Sequence, residues 1–191
     1  MVSIPFFLST FICSLVTNVP RVGVDFLYEG ERYGIAGICL SLSTLFGMIY
    51  NVNWQKNLSN YNKKNNINYI IKKFIISNFT YFIIISILSW VVIPKLFLLI
   101  YNINHNDENI SLVRCMFMSF NLFVFGMNFL NFYKFTTKKI YESISYLICF
   151  ILSLYLIFNT QYVIEIYSIL VVSGVTMLLL SIKGFIDLYE K

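Results

Sequence analysis

Long apolar runs separated by short polar segments recur along the whole of this chain, and they restrict it to one kind of solvent. A helix needs about 20 apolar residues to cross the hydrocarbon core of a bilayer, with a working range of roughly 17–25. Six stretches meet or nearly meet that length: 4–28, 33–52, 74–93, 112–132, 141–158 and 163–182. The third ends at Pro94–Lys95, and the LFLLIY segment after it is read as lying along the membrane interface. Charged residues are only 12% of the chain and hydrophobic ones 58%, whereas a typical soluble domain carries about 25% charge. A surface so poor in charge has lipid around it, and in lipid the backbone must satisfy its own hydrogen bonds. The expectation is an all-α, polytopic membrane protein, with residues 1–191 forming one six-helix transmembrane bundle. Met1–Val16 lacks a basic n-region and a small-residue cleavage site, so it is read as a mature helix rather than a signal peptide.

Charge gives the orientation. With six spans, one side holds Lys56, Lys63, Lys64, Lys72, Lys73, Lys134, Lys138, Lys139, Lys183 and Lys191. The other holds Arg21, Arg32, Lys95 and Arg114. Ten against four places both termini in the cytoplasm by the positive-inside rule. The net charge of +5 is therefore a topology signal, and no nucleic-acid partner is expected. Tyr50, Trp54, Trp90, Tyr101 and Tyr162 near the ends of the runs fit interfacial belts. The Asn-rich stretch Asn57–Asn68 reads as a polar cytoplasmic connector. Asn57, Asn78 and Asn109 match the glycosylation pattern by chance in so Asn-rich a chain.

Polar residues inside the runs are the next signal. Asn18, Arg21, Asp25 and Glu29 are spaced three, four and four apart, which aligns them on one helix face. Pro20 sits among them and is expected to kink or interrupt that helix. Ionisable groups at membrane depth usually face a bundle interior or a wet cavity. Two readings are open: Arg21 lines a pathway and binds an anion with Asp25 orienting it, or Arg21 snorkels at the interface and pairs with Asp25. Arg114, Asn121 and Asn128 fall at steps of seven with Asn131 three further on, a stripe that either faces a cavity or hydrogen-bonds to a neighbouring helix. Packing is the favoured role for the Asn residues. Arg114 and Glu165 read as interfacial charges. Gly34, Gly37, Gly47, Gly126 and Gly174 read as points of close helix approach.

No catalytic set assembles. His105 is the single histidine and lies in the polar segment Asn102–Asn109, so no His-based metal cluster or His–Asp acyltransferase box is available. Cys13, Cys39, Cys115 and Cys149 sit in apolar runs with no CxxC spacing and read as small buried residues. There is no phosphate-binding glycine loop or nucleophile elbow. Neither an enzyme nor an ATP-driven pump is expected, and no cofactor or metal is implied.

The opening SIPFFLSTFICSLVTNVPRVGVDFLYEGERYGIAGI, Ser3–Ile38, resembles the start of the second half of the polysaccharide (O-antigen) flippases, a family of the superfamily that includes the multidrug-and-toxin extruders. The matching residues are Ile4–Pro5, then Asn18, Pro20 and Arg21, then Gly30, Glu31, Gly34 and Ile35. The polar segment with Gln55 and Lys56, and Ile93–Tyr101, also sit where the family has comparable segments. Two departures accompany the match. The family has about twelve helices in two six-helix bundles, so this chain is similar to the C-terminal bundle alone. A Gly-Glu-Tyr expected after Ile93–Tyr101 is replaced by Asn102–His105. The resemblance implies ion-gradient-driven flipping of an undecaprenyl-diphosphate-linked glycan across the bacterial inner membrane. It makes Arg21 the contact for the diphosphate, Asn18 a contact for sugar hydroxyls and Asp25 the residue that orients Arg21. The missing bundle would be a homodimer partner or a separately encoded N-terminal half. The competing classes are a drug/cation antiporter, which needs a cavity carboxylate such as Asp25, and a non-transporting scaffold or truncated remnant.

Overall fold

The computed structural model describes residues 4–61, 67–131, 139–158 and 166–189, and every element among them is helical. In chain order these are α1 (Ile4–Leu27), α2 (Gly30–Tyr61), α3 (Ile67–Val91), α4 (Ile93–Ile100), α5 (Asp107–Leu130), α6 (Lys139–Phe158) and α7 (Ile166–Tyr189). Among the described residues, five segments are long and apolar enough to cross a bilayer: Gly30–Val52, Ile71–Val91, Asp107–Leu130, Tyr141–Phe158 and Ile166–Lys183. The chain is thus an all-helical, multi-pass membrane protein. α1 is 24 residues long, carries Asn18, Pro20, Arg21 and Asp25 in its second half, and is not among the five. Residues 62–66, 132–138 and 159–165 lie outside the described residues, and with them Tyr162, Glu165 and most of the second Lys-rich connector.

The helices depart from the apolar runs in three places. Pro20 does not end α1, which continues unbroken to Leu27. Pro20 withdraws only the one donor that Val16 would have received, and the turn before it is reinforced by side chains. The Thr17 hydroxyl and the Asn18 amide both donate to the Ser14 carbonyl, at 2.9 and 2.8 Å. Second, α2 continues to Tyr61, well past the apolar run ending at Val52. An apolar run marks where lipid ends, and with no Gly or Pro between 53 and 61 nothing stops the helix there. Third, α3 breaks at Val92, and Pro94 opens the separate eight-residue α4. Here Leu96, Leu99 and Ile100 remain exposed while Phe97 and Leu98 are buried.

α5 is the central helix: 61% of its span is buried, against 22% for α3. Its largest interface is with α7, followed by α2, α3 and α4. α1 packs chiefly on α6, which also packs on α7. Consecutive helices α1 and α2 touch far less than either touches its main neighbour. The α5–α7 crossing is a backbone contact. A Cβ on Gly174 would lie 2.9 Å from the Leu122 carbonyl oxygen, and one on Gly126 would strike the Gly174 carbonyl. Small residues let membrane helices approach this closely. Across the other face of α5, Phe82 stacks on Phe125 (4.6 Å) and Phe74 meets Phe129 (5.4 Å), an aromatic seam between α3 and α5.

The connections tie one end of the bundle together. Gly30 turns the chain from α1 to α2 at φ +56°, a left-handed conformation that glycine adopts without a Cβ clash. Beside it the Tyr28 hydroxyl accepts the Ile166 backbone N–H at the start of α7 (3.2 Å). Asn106 caps α5 by accepting the Asn109 N–H at 2.7 Å. The Asn109 amide then reaches Glu31 Oε1 at 3.3 Å.

Candidate functional site

Asn18, Arg21 and Asp25 share one face of α1, and that face is turned toward α2. Two cavities lie along this seam. The larger, of about 470 Å³, is bordered by Arg21 and Asp25 from α1 and by Tyr33, Gly34, Gly37 and Ser41 from α2. The smaller, of about 260 Å³, is bordered by Asn18 and Arg21, by Thr44 and Gly47, and by Phe120 and Phe123 of α5. Arg21 and Leu40 border both, so the two adjoin as one groove with Arg21 at the junction.

The wall opposite Arg21 is built from small residues. Gly34, Gly37, Ser41, Thr44 and Gly47 follow one another at steps of three and four, which puts them on a single face of α2. A Cβ on Gly34, Gly37 or Gly47 would meet nothing within 4 Å. These glycines therefore do not mediate the close helix approach that the sequence led us to expect; they leave the seam open. The hydroxyls on this face donate to their own helix, Ser41 to the Gly37 carbonyl at 3.0 Å and Thr44 to the Ser41 carbonyl at 2.6 Å. Their oxygen lone pairs remain available to the groove.

The three α1 residues differ in how far they are engaged. Asn18 spends one amide proton on Ser14. The Asp25 carboxylate accepts from the Tyr33 hydroxyl across the α1–α2 turn. Arg21 is exposed to the groove and, among the described residues, its guanidinium has no protein acceptor. Arg21 and Asp25 border the same cavity without forming an ion pair; the charge pair near this end is Arg32 with Glu108 at 3.8 Å. Glu29 falls in the break before α2 rather than on the α1 face. At 1.5 Å per residue, Arg21 lies about 9 Å from the end of α1 and Asp25 about 3 Å. A 24-residue helix is about 36 Å long and overruns a core of about 30 Å by a few ångströms at each end.

The other polar signals resolve as packing. The Tyr50 hydroxyl donates to Asn121 Oδ1 (3.0 Å), and Asn121 Nδ2 donates to Ser86 Oγ (2.9 Å) and the Phe82 carbonyl (3.2 Å). Tyr50 is thus buried and bonded, not part of an interfacial belt. Asn128 donates to Asn78, which donates to the Phe74 carbonyl. Tyr146 donates to Asn131 at 2.9 Å. Asn78 and Asn109 are buried, consistent with chance glycosylation matches. Arg114 leaves the stripe for Trp90 on α3. Cys13, Cys39, Cys115 and Cys149 form no disulfide. Among the described residues no three His, Cys, Asp or Glu side chains gather in a metal-holding group.

The small-residue face of α2 and Tyr33 are the parts of the groove that the sequence reading missed. The periodicity of Gly34, Gly37, Ser41, Thr44 and Gly47 is the signal that could have found the former. Comparison with protein-family models, with curated proteins and with solved structures finds no match to this chain.

Proposed function

We propose that this chain is one six-helix wall of a transporter that moves a lipid-linked, phosphate-bearing oligosaccharide across a bacterial inner membrane, with both termini cytoplasmic. The observation that carries this reading is Arg21, a cation that faces an open groove between apolar helices and has no protein acceptor among the described residues. An uncompensated charge in such a setting is costly, so the groove favours a ligand that supplies the opposite charge. A guanidinium offers planar paired donors that match two phosphate oxygens. The Gly, Ser and Thr wall of α2 leaves room for sugar and presents hydroxyl oxygens to it. Asn18 and Asp25 flank Arg21 along the groove, with Asp25 tied to Tyr33. α1 is the sixth span in this reading, its polar residues lining the route.

A seam lined on one side by this bundle needs a second wall. That wall is a second copy of the chain or a separately encoded six-helix partner, and rocking of one bundle against the other alternates access. The drive is an ion gradient. The test is complementation of a strain lacking its polysaccharide flippase, with this chain alone and with an N-terminal six-helix half. Surface glycan restored by the pair or by the chain alone supports transport and says which partner completes the site. With both halves inserted and no glycan restored, the transport reading fails in favour of a scaffold or remnant.

A further inference from the structure

A second arginine, Arg114 on α5, is held apart from the groove and borders neither of its cavities. Its Nε donates to the Trp90 carbonyl at 3.1 Å, and its guanidinium lies over the Trp90 ring at 4.5 Å. The carbonyl is open for a physical reason. In a continuous helix it would accept from the residue four positions on, but that residue is Pro94, which has no N–H. Arg114 fills the vacancy and is fixed in plane by the indole. Its two Nη groups then have no protein acceptor among the described residues.

The surroundings place this fork at lipid headgroup level. Trp90 is 52% exposed and ends the apolar span Ile71–Val91. α4 follows at once, packs on α3 and α5, and keeps Leu96, Leu99 and Ile100 exposed at 50, 68 and 70%. A short helix with an exposed apolar edge beside a Trp is the pattern of a segment lying in the interface. Lys95, also exposed, adds a second positive charge on the first turn of α4. Carboxylates do not neutralise Arg114. Glu108 pairs with Arg32, and Asp107 lies two turns along α5, about 10 Å away.

We propose that the open fork of Arg114, braced on Trp90, is a binding site for the headgroup phosphate of an anionic phospholipid, whose acyl chains lie along the exposed apolar face of α3. Ile83, Ile87 and Val91, each more than half exposed, form that face. Basic pockets between membrane helices bind lipid headgroups in this way. The site is independent of the transport reading, since Arg114 borders neither groove cavity and acts with α3 and α4 rather than with α1 and α2.

Native mass spectrometry of the purified full chain in detergent, titrated with phosphatidylglycerol, tests it. Wild type and Arg32→Gln should hold one tightly bound lipid, and Arg114→Gln should bind it about tenfold more weakly, a loss of about 1.4 kcal/mol. Arg114→Lys, which keeps the charge and loses the fork, should fall between them. Equal binding by Arg114→Gln and wild type overturns the site. Wild type titrated with diacylglycerol, which lacks the phosphate, needs no variant: binding as tight as that of phosphatidylglycerol overturns the proposal. Displacement of the lipid by millimolar inorganic phosphate reassigns the fork to a free anion and overturns the lipid assignment.

Discussion

Arg21 and Asn121 are both polar residues within or beside apolar runs, yet their surroundings assign them opposite roles. Asn121 is fully buried, and its side chain joins α5 to α2 and α3 through three hydrogen bonds. Asn121→Ala strands the Tyr50 hydroxyl and should cost about 1–2 kcal/mol, read as a lower midpoint in denaturant titration from mixed micelles. Arg21 has no such contacts, so Arg21→Ala should leave abundance and thermal stability at the wild-type level. Under the transport reading it abolishes glycan export. Arg21→Lys should retain part of it, because the charge survives while the paired donors do not. Loss of abundance in Arg21→Ala would assign the residue a structural role instead. The shared face of Asn18, Arg21 and Asp25 was legible in the sequence because their spacing is helical. Their partners were not. Asp25 meets Tyr33 beyond a chain reversal, and Asn121 meets residues 71 and 35 positions away. Local spacing carries no information about contacts at that separation.

Among the elements, two sets of glycines read alike in sequence and act differently in the fold. Gly126 and Gly174 bring the α5 and α7 backbones into contact. Gly126→Leu must force the helices apart, and backbone cannot yield as a side-chain tip can. The expected cost is about 3 kcal/mol or more, visible as loss of folded protein after extraction. Gly37 faces open space, so Gly37→Leu should fold as well as wild type or better, leucine being the stronger helix former by about 0.8 kcal/mol. It nevertheless fills the groove, and export should drop while abundance holds. Equal loss of abundance in both variants would mean that the α1–α2 seam is packed rather than open. The apolar runs located the helices well because bilayer thickness sets a length that the sequence must honour. They misplaced the end of α2 at Tyr61, since hydropathy marks where the apolar run ends and not where the helix ends, whereas Pro94 marked the end of α3 to within about two residues. Which glycine packs is a property of the neighbouring helix, and so was hidden.

At the scale of the whole molecule, the helices form two groups, α1 with α6 and α7, and α2 with α3 and α5, joined where α5 crosses α7. The groove is the seam between the groups, along α1 and α2. One end of it is closed by the α1–α2 turn. There Tyr28 is bonded to the start of α7, Glu31 to Asn109, and Arg32 to Glu108. The exposed Arg32–Glu108 pair adds little to this closure, whereas the buried Tyr28 hydroxyl accepts from one of the N–H donors that the α7 N-terminus would otherwise leave unpaired. Whether water or lipid fills the seam separates a polar route from a mere gap between helices. Cysteine placed at Ser41 lies in the groove wall, and cysteine at Ala36, 0% exposed, lies on the packed side of the same helix. In a background with Cys13, Cys39, Cys115 and Cys149 replaced, a charged, membrane-impermeant maleimide should label Ser41→Cys and spare Ala36→Cys. The reagent requires thiolate, which forms only where water reaches, so labelling at Ser41 measures hydration directly. If Ser41→Cys yields only to an uncharged, lipophilic maleimide, acyl chains occupy the seam. Arg21 would then have to be snorkelling to the interface rather than lining a route for a charged headgroup.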